Sequence, residues 1–233
     1  MPLAPAAQHI DPAWQGVLDR LLDDLATSNV VPAPLHPTLA ALRATPATER
    51  DRLAQAVLAE AVSAADLPHA LFVTAALQVV FIDRACRLQE DEVPLTDTPS
   101  LCPVCASKPV AGIVRIGGAY GGLRYLHCGL CATEWHMVRV KCSHCASTEA
   151  IRYESVEGGP AHVQAETCGA CHCYRKLIQQ DKDPLAEPLA DDLASLVLDL
   201  LMGETAFTRA SANPFMPYAI DTPATSPEGS ADA

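Results

Sequence analysis

Four short stretches decide how this chain is read: Cys102-Pro103-Val104-Cys105, Cys128-Gly129-Leu130-Cys131, Cys142-Ser143-His144-Cys145 and Cys168-Gly169-Ala170-Cys171. Each is a CxxC. The first two form one half and the last two another, with 22 residues between the pairs in each half. Every cysteine of the second half lies 40 positions after its counterpart. Two residues between cysteines let both sulfurs face one ion from a tight turn, and two such turns complete a tetrahedron of thiolates. The pattern predicts two metal sites. The simplest pairing is within each half, with Cys102, Cys105, Cys128 and Cys131 on one metal and Cys142, Cys145, Cys168 and Cys171 on the other. An interleaved pairing fits the 40-residue repeat less well.

Modules of about 40 residues cannot bury enough apolar surface to fold unaided. A structural metal supplies the difference, on the order of 10 kcal/mol. Four thiolates suit zinc or iron equally by geometry. A thioredoxin-like redox pair needs a βαβ setting, and none surrounds these cysteines.

Around the cysteines, Val110–Ile116, Tyr125–His127 and Trp135–Val140 read as short antiparallel strands. Gly117-Gly118, Gly121-Gly122 and Gly158-Gly159-Pro160 supply turns at matching places. Each half reads as a zinc-ribbon or rubredoxin-like module, spanning 101–140 and 141–183. Before them, residues 1–92 read as an α-helical domain. Trp14, Val17, Leu18, Leu21, Leu22 and Leu25 recur at helical spacing after Asp11-Pro12. Val31–Pro37 reads as an extended connector. Thr45-Pro46 followed by Glu49 opens a second helix in capping-box style, with Leu53, Val57, Leu58, Ala61 and Val62 on one face. Leu67-Pro68 breaks that helix, and roughly His69–Gln89, apolar nearly all round, reads as a central helix. Asp91–Ser100 reads as a linker. Residues 184–217 carry a last helix, with Leu193, Leu196, Val197, Leu200 and Leu201 on one face, and 218–233 read as a disordered tail. The fold class expected is α+β.

Of the 233 residues, 16 are Lys or Arg and 28 are Asp or Glu, a net charge of −12. The acidity is uneven. Residues 96–180 carry 8 basic against 6 acidic side chains, while 181–233 carry 2 against 10. Eight thiolates on two divalent ions turn the cysteine region acidic as well. A phosphate backbone calls for a basic surface, so nucleic acid is not the expected partner. The N-terminal residues lack the charged and apolar regions of a signal peptide. Ala70–Ile82 is short for a bilayer span. A cytoplasmic protein without membrane insertion is expected.

Other candidates fare less well. Cys86, in the apolar third helix, reads as a buried inert thiol. Cys173 forms a CxC with Cys171, which leaves two readings open: a competitor for the metal, or a thiol that strand alternation points away. His127, His136 and His144 sit near the knuckles without being needed as ligands. Trp135 reads as cover for the first site. No catalytic residue stands out. The hairpin residues Arg115, Tyr120, Arg124 and Tyr125 are the expected partner-binding face, because exposed Arg and Tyr are favoured at recognition surfaces.

A family resemblance rests on longer runs. These are Cys102-Pro-Val-Cys-Ala-Ser-Lys-Pro-Val110, Gly122-Leu-Arg-Tyr-Leu-His-Cys128, Cys131-Ala-Thr-Glu-Trp-His136, Val138-Arg-Val-Lys-Cys142, Glu166-Thr-Cys168, Lys182-Asp-Pro184, Ala190-Asp-Asp-Leu-Ala-Ser-Leu-Val-Leu-Asp199 and Asn213-Pro-Phe215. They resemble the FdhE formate dehydrogenase accessory proteins. The resemblance implies a cytoplasmic maturation factor for respiratory molybdenum- or tungsten-dependent formate dehydrogenase. It implies binding to the catalytic subunit before export by the twin-arginine pathway. It also implies rubredoxin-like sites, with iron as the metal and the eight CxxC cysteines as ligands. The alternative is a metal- or thiol-based redox enzyme acting on the client's cofactor site.

Overall fold

The computed structural model describes residues 1–5, 10–94, 100–117 and 121–216. Tyr120, Gly118, half of the expected linker and the expected disordered tail therefore lie outside the described residues.

The N-terminal part is helical: α1 (Ala13–Thr27), α2 (His36–Ala44), α3 (Ala47–Leu58) and α4 (Leu67–Cys86). In α1, Trp14, Leu18 and Leu22 are buried, one turn apart along a single stripe. The stretch expected to be extended instead forms a 3-10 turn, Ala33–Leu35, that runs into α2. Pro37 sits in the first turn of α2, where its missing N–H costs nothing. Pro68 likewise opens α4 rather than simply ending α3. The expected capping box does not form. The Thr45 hydroxyl donates back to the Ala41 carbonyl of the preceding helix.

Among the described residues, α4 is the one helix long and apolar enough to cross a bilayer. It is instead the spine of the helical core. Ala70, Val73, Ala76, Leu77, Val80 and Phe81 are buried, packed with Trp14, Leu18, Leu42 and Leu53. Its outer face carries exposed Val79 and Ile82. Cys86 is exposed at its end, a correction to the buried thiol expected from the local apolarity.

Among the described residues, seven strands form one sheet: β1 (Pro109–Val114), β2 (Arg124–Cys128), β3 (Glu134–His136), β4 (Ile151–Glu154), β5 (Val163–Cys168), β6 (Cys173–Gln179) and β7 (Thr208–Arg209). The order is β3-β2-β1-β6-β5-β4, with β7 on β6. Each half contributes an antiparallel three-stranded meander. The first strand of one meander pairs in parallel with the last strand of the other, Gly112 opposite Leu177 and Ile113 opposite Ile178. The two cysteine halves thus share one continuous sheet.

The expected last helix is two helices, α5 (Pro188–Ala194) and α6 (Leu196–Gly203). Ser195 breaks it by donating its hydroxyl to the Asp191 carbonyl. The break changes the phase. Leu198 and Met202 are buried, whereas Leu196, Val197, Leu200 and Leu201 face solvent. Leu198 and Met202 join Val110, Ile113, Val163, Tyr174 and Ile178 in a second core over the β1–β6 seam.

Candidate metal centres

The second and fourth CxxC begin on the last residue of a strand, Cys128 of β2 and Cys168 of β5, and all four turn in the same way. The residue after the second cysteine adopts a positive φ in all four: Ala106 (65°), Ala132 (56°), Ala146 (60°) and His172 (54°). An L residue is held there at a cost on the order of 1 kcal/mol. The backbone N–H of each of these residues donates to the carbonyl of the first cysteine, over 2.9–3.1 Å. That geometry aims further N–H groups at sulfur. Leu130 N and Cys131 N point at Cys128 Sγ, 3.4 and 3.5 Å away. His144 N and Cys145 N point at Cys142 Sγ, 3.3 and 3.5 Å away. Such donors stabilise a thiolate and tune a bound metal.

The knuckles meet within each half. Cys102 Sγ lies 3.5 Å from Cys131 Sγ, and Cys105 Sγ 3.4 Å from Cys128 Sγ. In the second half, the Cys142–Cys171 and Cys145–Cys168 separations are both 3.7 Å. All four sulfurs of each set lie within 4.8 Å of one another. A regular tetrahedron of sulfurs about 2.3 Å from a central ion has edges of about 3.8 Å. The donor sets therefore fit a four-coordinate zinc or iron ion. Crowding by the other sulfurs, Cys102 foremost, holds the Cys128 thiol far above its ordinary range. A divalent ion removes that conflict by taking thiolates directly.

The two sites differ in cover. All four cysteines of the first are buried. They are continuous with the helical core, and Trp135 packs at the edge of the same cluster. The Leu3 N–H donates to the Val104 carbonyl, Gln78 donates to the Gly129 carbonyl, and Lys108 pairs with Glu60. Gly129 itself permits a close approach. A Cβ there would come within 3.1 Å of the Pro214 ring. Asn213 anchors that proline, being fully buried and donating to the Leu189 carbonyl and Asp192 Oδ2. Asp192 in turn pairs with Arg209 and Lys176, and Lys176 pairs with Asp199. The C-terminal segment is thereby tied both to the sheet and to the first site.

In the second site, Cys142 and Cys168 are buried, Cys171 is half-buried and Cys145 is exposed. Cys173 stands outside the set, its thiol near the Cys171 carbonyl and the Thr208 hydroxyl. His127 accompanies Glu134, 3.0 Å from its Oε1. His136 is exposed and meets Tyr125 edge-on, and His144 is exposed. None of the three joins either group of sulfurs.

The expected partner face is not an open basic surface. Arg124 is 1% exposed, bound to Glu166 and to the Lys141 carbonyl. A guanidinium so enclosed cannot reach a partner, which corrects the expectation at that position. Arg115 is committed to Glu134, and Tyr125 is half-buried against the second core. Burial pushes the Arg175 guanidinium down to about 10. This residue, which sequence reasoning passed over, donates to Ser143 in the third knuckle and to the Pro109 carbonyl, linking the second site to the sheet seam.

Comparison with known proteins agrees with this architecture. Family profiles described as "FdhE, N-terminal", "FdhE, central domain" and "FdhE, C-terminal domain" match residues 1–97, 101–139 and 140–216. A "Protein FdhE homolog" of Edwardsiella ictaluri is 43% identical over 218 residues, 92% of this chain and 69% of that protein.

The chain belongs to the FdhE family.

The FdhE protein of Salmonella typhimurium is 40% identical, over 88% of this chain and 66% of its own length. The chain thus spans about two thirds of the length of these FdhE relatives. The crystal structure of the FdhE protein from Pseudomonas aeruginosa superposes with a TM-score of 0.81 at 38% identity, covering 93% of this chain and 75% of that one.

Proposed function

We propose that this protein is an accessory factor in the formation of formate dehydrogenase, acting by binding the enzyme's catalytic subunit in the cytoplasm before export. The observation that carries this reading is the pair of four-cysteine clusters inside a fold shared with the FdhE protein from Pseudomonas aeruginosa. Cys102, Cys105, Cys128 and Cys131 hold one metal, and Cys142, Cys145, Cys168 and Cys171 the other. Iron is the metal the family resemblance favours, and zinc fits the same donors. No group on the described surface is arranged as nucleophile and base, so binding rather than catalysis is the activity proposed.

The client face we assign is α6. Four large apolar side chains, Leu196, Val197, Leu200 and Leu201, project into solvent from two helical turns, Leu200 at 72% exposure. A contiguous apolar face of this kind on a protein otherwise rich in acidic groups is characteristic of a binding site. The test is co-purification of the tagged chain with the formate dehydrogenase catalytic subunit, together with complementation of a strain lacking its own FdhE. Capture and restored formate oxidation support the reading, and failure of both overturns it.

A further inference from the structure

The two sulfur clusters are equal in sequence and unequal in the fold. In the first, the four cysteines are no more than 2% exposed. Helices α1 and α4, the Val104–Leu3 hydrogen bond and the Pro214 clamp on Gly129 enclose them. In the second, Cys145 is exposed and Cys171 half-buried. Its rim consists of His144, Ala146, Ala170 and His172, all exposed. None of these four rim residues comes from the helical domain. The first cluster belongs to the helical core, and the cysteines of the second belong to neither core.

We infer that the second centre is exchange-competent while the first is structural, and that Cys145 is the sulfur through which the second opens. An approaching ligand needs a path to the ion. In the first centre that path requires parting the helical core from the sheet. In the second it requires only displacement of a solvent-facing thiolate. Cys145 leaves the coordination sphere as an incoming thiolate or chelator nitrogen enters it, with no change in oxidation state. His144 and His172, on the rim and each adjacent in sequence to a ligand cysteine, are borderline donors suited to holding a metal in transit. A centre of this kind serves to accept or deliver a metal, whereas its buried twin serves to fasten the helices to the sheet.

The inference rests on both clusters holding metal, and the experiment separates the two. The full chain carrying Cys86→Ala, which removes the exposed thiol on α4, is loaded with zinc and its metal content measured. It is then mixed with the chromophoric chelator 4-(2-pyridylazo)resorcinol. Two equivalents released in two phases are expected, one each, the first faster by at least about tenfold because a local opening is cheaper than a sub-global one. A pulse of iodoacetamide during the first phase, read by peptide mass spectrometry, is expected to mark Cys142, Cys145, Cys168 and Cys171 and to spare Cys102, Cys105, Cys128 and Cys131. Cys145→Ser in the same background is expected to speed the first phase further and to leave the second unchanged. Should that variant fold poorly, the pulse-labelling of the Cys86→Ala chain decides alone. Release of both equivalents in one phase, or first labelling at Cys102, Cys105, Cys128 or Cys131, overturns the division of roles. Protein that holds no metal at all overturns the premise and the inference with it.

Discussion

Arg124 Nη2 lies 2.6 Å from Glu166 Oε1, and both side chains are almost fully buried. Arg124 is on β2 and Glu166 on β5, so this ion pair spans the β1–β6 seam and ties one cysteine half to the other. Gly112 on β1 allows the close approach of β6 at this seam, since a Cβ there would lie 3.0 Å from Leu177 Cδ1. Burial pushes the Glu166 carboxyl above its ordinary range, against the pull of Arg124. Removing one partner leaves a buried charge uncompensated, at about 3–5 kcal/mol. Arg124→Met is therefore expected to be strongly destabilising in urea unfolding. The double variant Arg124→Met/Glu166→Met is expected to recover part of that loss. Additive losses in the double variant would show that the pair is not coupled.

The first cluster is expected to govern the helices as well as its own ribbon. Sequence alone suggests that replacing Cys102 and Cys105 by Ser unfolds one module and spares the helical domain. The continuous core of Trp14, Leu77, Cys102 and Cys128 changes that expectation. The double Ser variant should lose part of its far-UV helical signal and melt over a broader range, whereas Cys142→Ser/Cys145→Ser should keep the helical melt near that of the parent. Circular dichroism against temperature checks both. Equal effects of the two variants would contradict the structural role given to the first site.

Much of the metal architecture was legible because its chemistry is local. Spacing named the eight sulfurs and favoured grouping by halves over an interleaved pairing, and the structure brings the sulfurs together by halves. What was not legible is long-range. The repeat says nothing about the parallel pairing of β1 with β6, which depends on which strand edges remain free after each meander forms. The positive φ at Ala106, Ala132, Ala146 and His172 could not be foreseen either, because propensity puts Gly or Asn there. Arg124 looked like surface in a charged hairpin, and its burial depends on Glu166, 42 residues away. The C-terminal helix was legible as a helix, but Ser195 reset its phase and turned the expected packing face outward.

Elemental analysis should find about two metal equivalents per chain, following from eight thiolates in two groups. Iron-loaded protein in its oxidised state should be red through thiolate-to-ferric charge transfer, and zinc-loaded protein colourless. Comparing both forms in a formate dehydrogenase maturation assay with air excluded separates a redox role from a structural one. Full activation by the zinc form would rule out electron transfer at these sites.

The helical domain carries an acid-sensitive contact. Burial tends to raise the Asp19 carboxyl, but hydrogen bonds from Arg50 and Arg43 outweigh it and hold the pKa below the ordinary 3.8. A carboxyl depressed on folding stabilises the fold above its unfolded pKa, and that stability is lost as pH falls through the folded value. Asp19 is itself part-exposed, so screening limits the contribution to about 0.5–1 kcal/mol. Asp19→Asn should therefore lower the urea midpoint of the helical signal at pH 7. The gap between variant and parent should narrow as pH drops below 3.8. A gap that stays constant down to the lowest pH would show that Asp19 acts through packing and not through its charge.

Client capture should depend on the outward face of α6. Leu196, Val197, Leu200 and Leu201 contribute nothing to the core beneath them, which is formed from that helix by Leu198 and Met202. Substituting the outward side chains should leave the fold intact, since surface changes of this kind usually shift stability by no more than about 0.5 kcal/mol. Val197→Glu/Leu200→Glu should keep two metal equivalents and a normal melt. A charged pair placed in an apolar interface must be desolvated without a partner, so affinity for the catalytic subunit should fall at least about tenfold. Arg115→Glu is the control on the opposite assignment, because Arg115 is already held by Glu134. It should change metal content and capture little. Loss of capture with Arg115→Glu and none with the α6 pair would move the client to the hairpin.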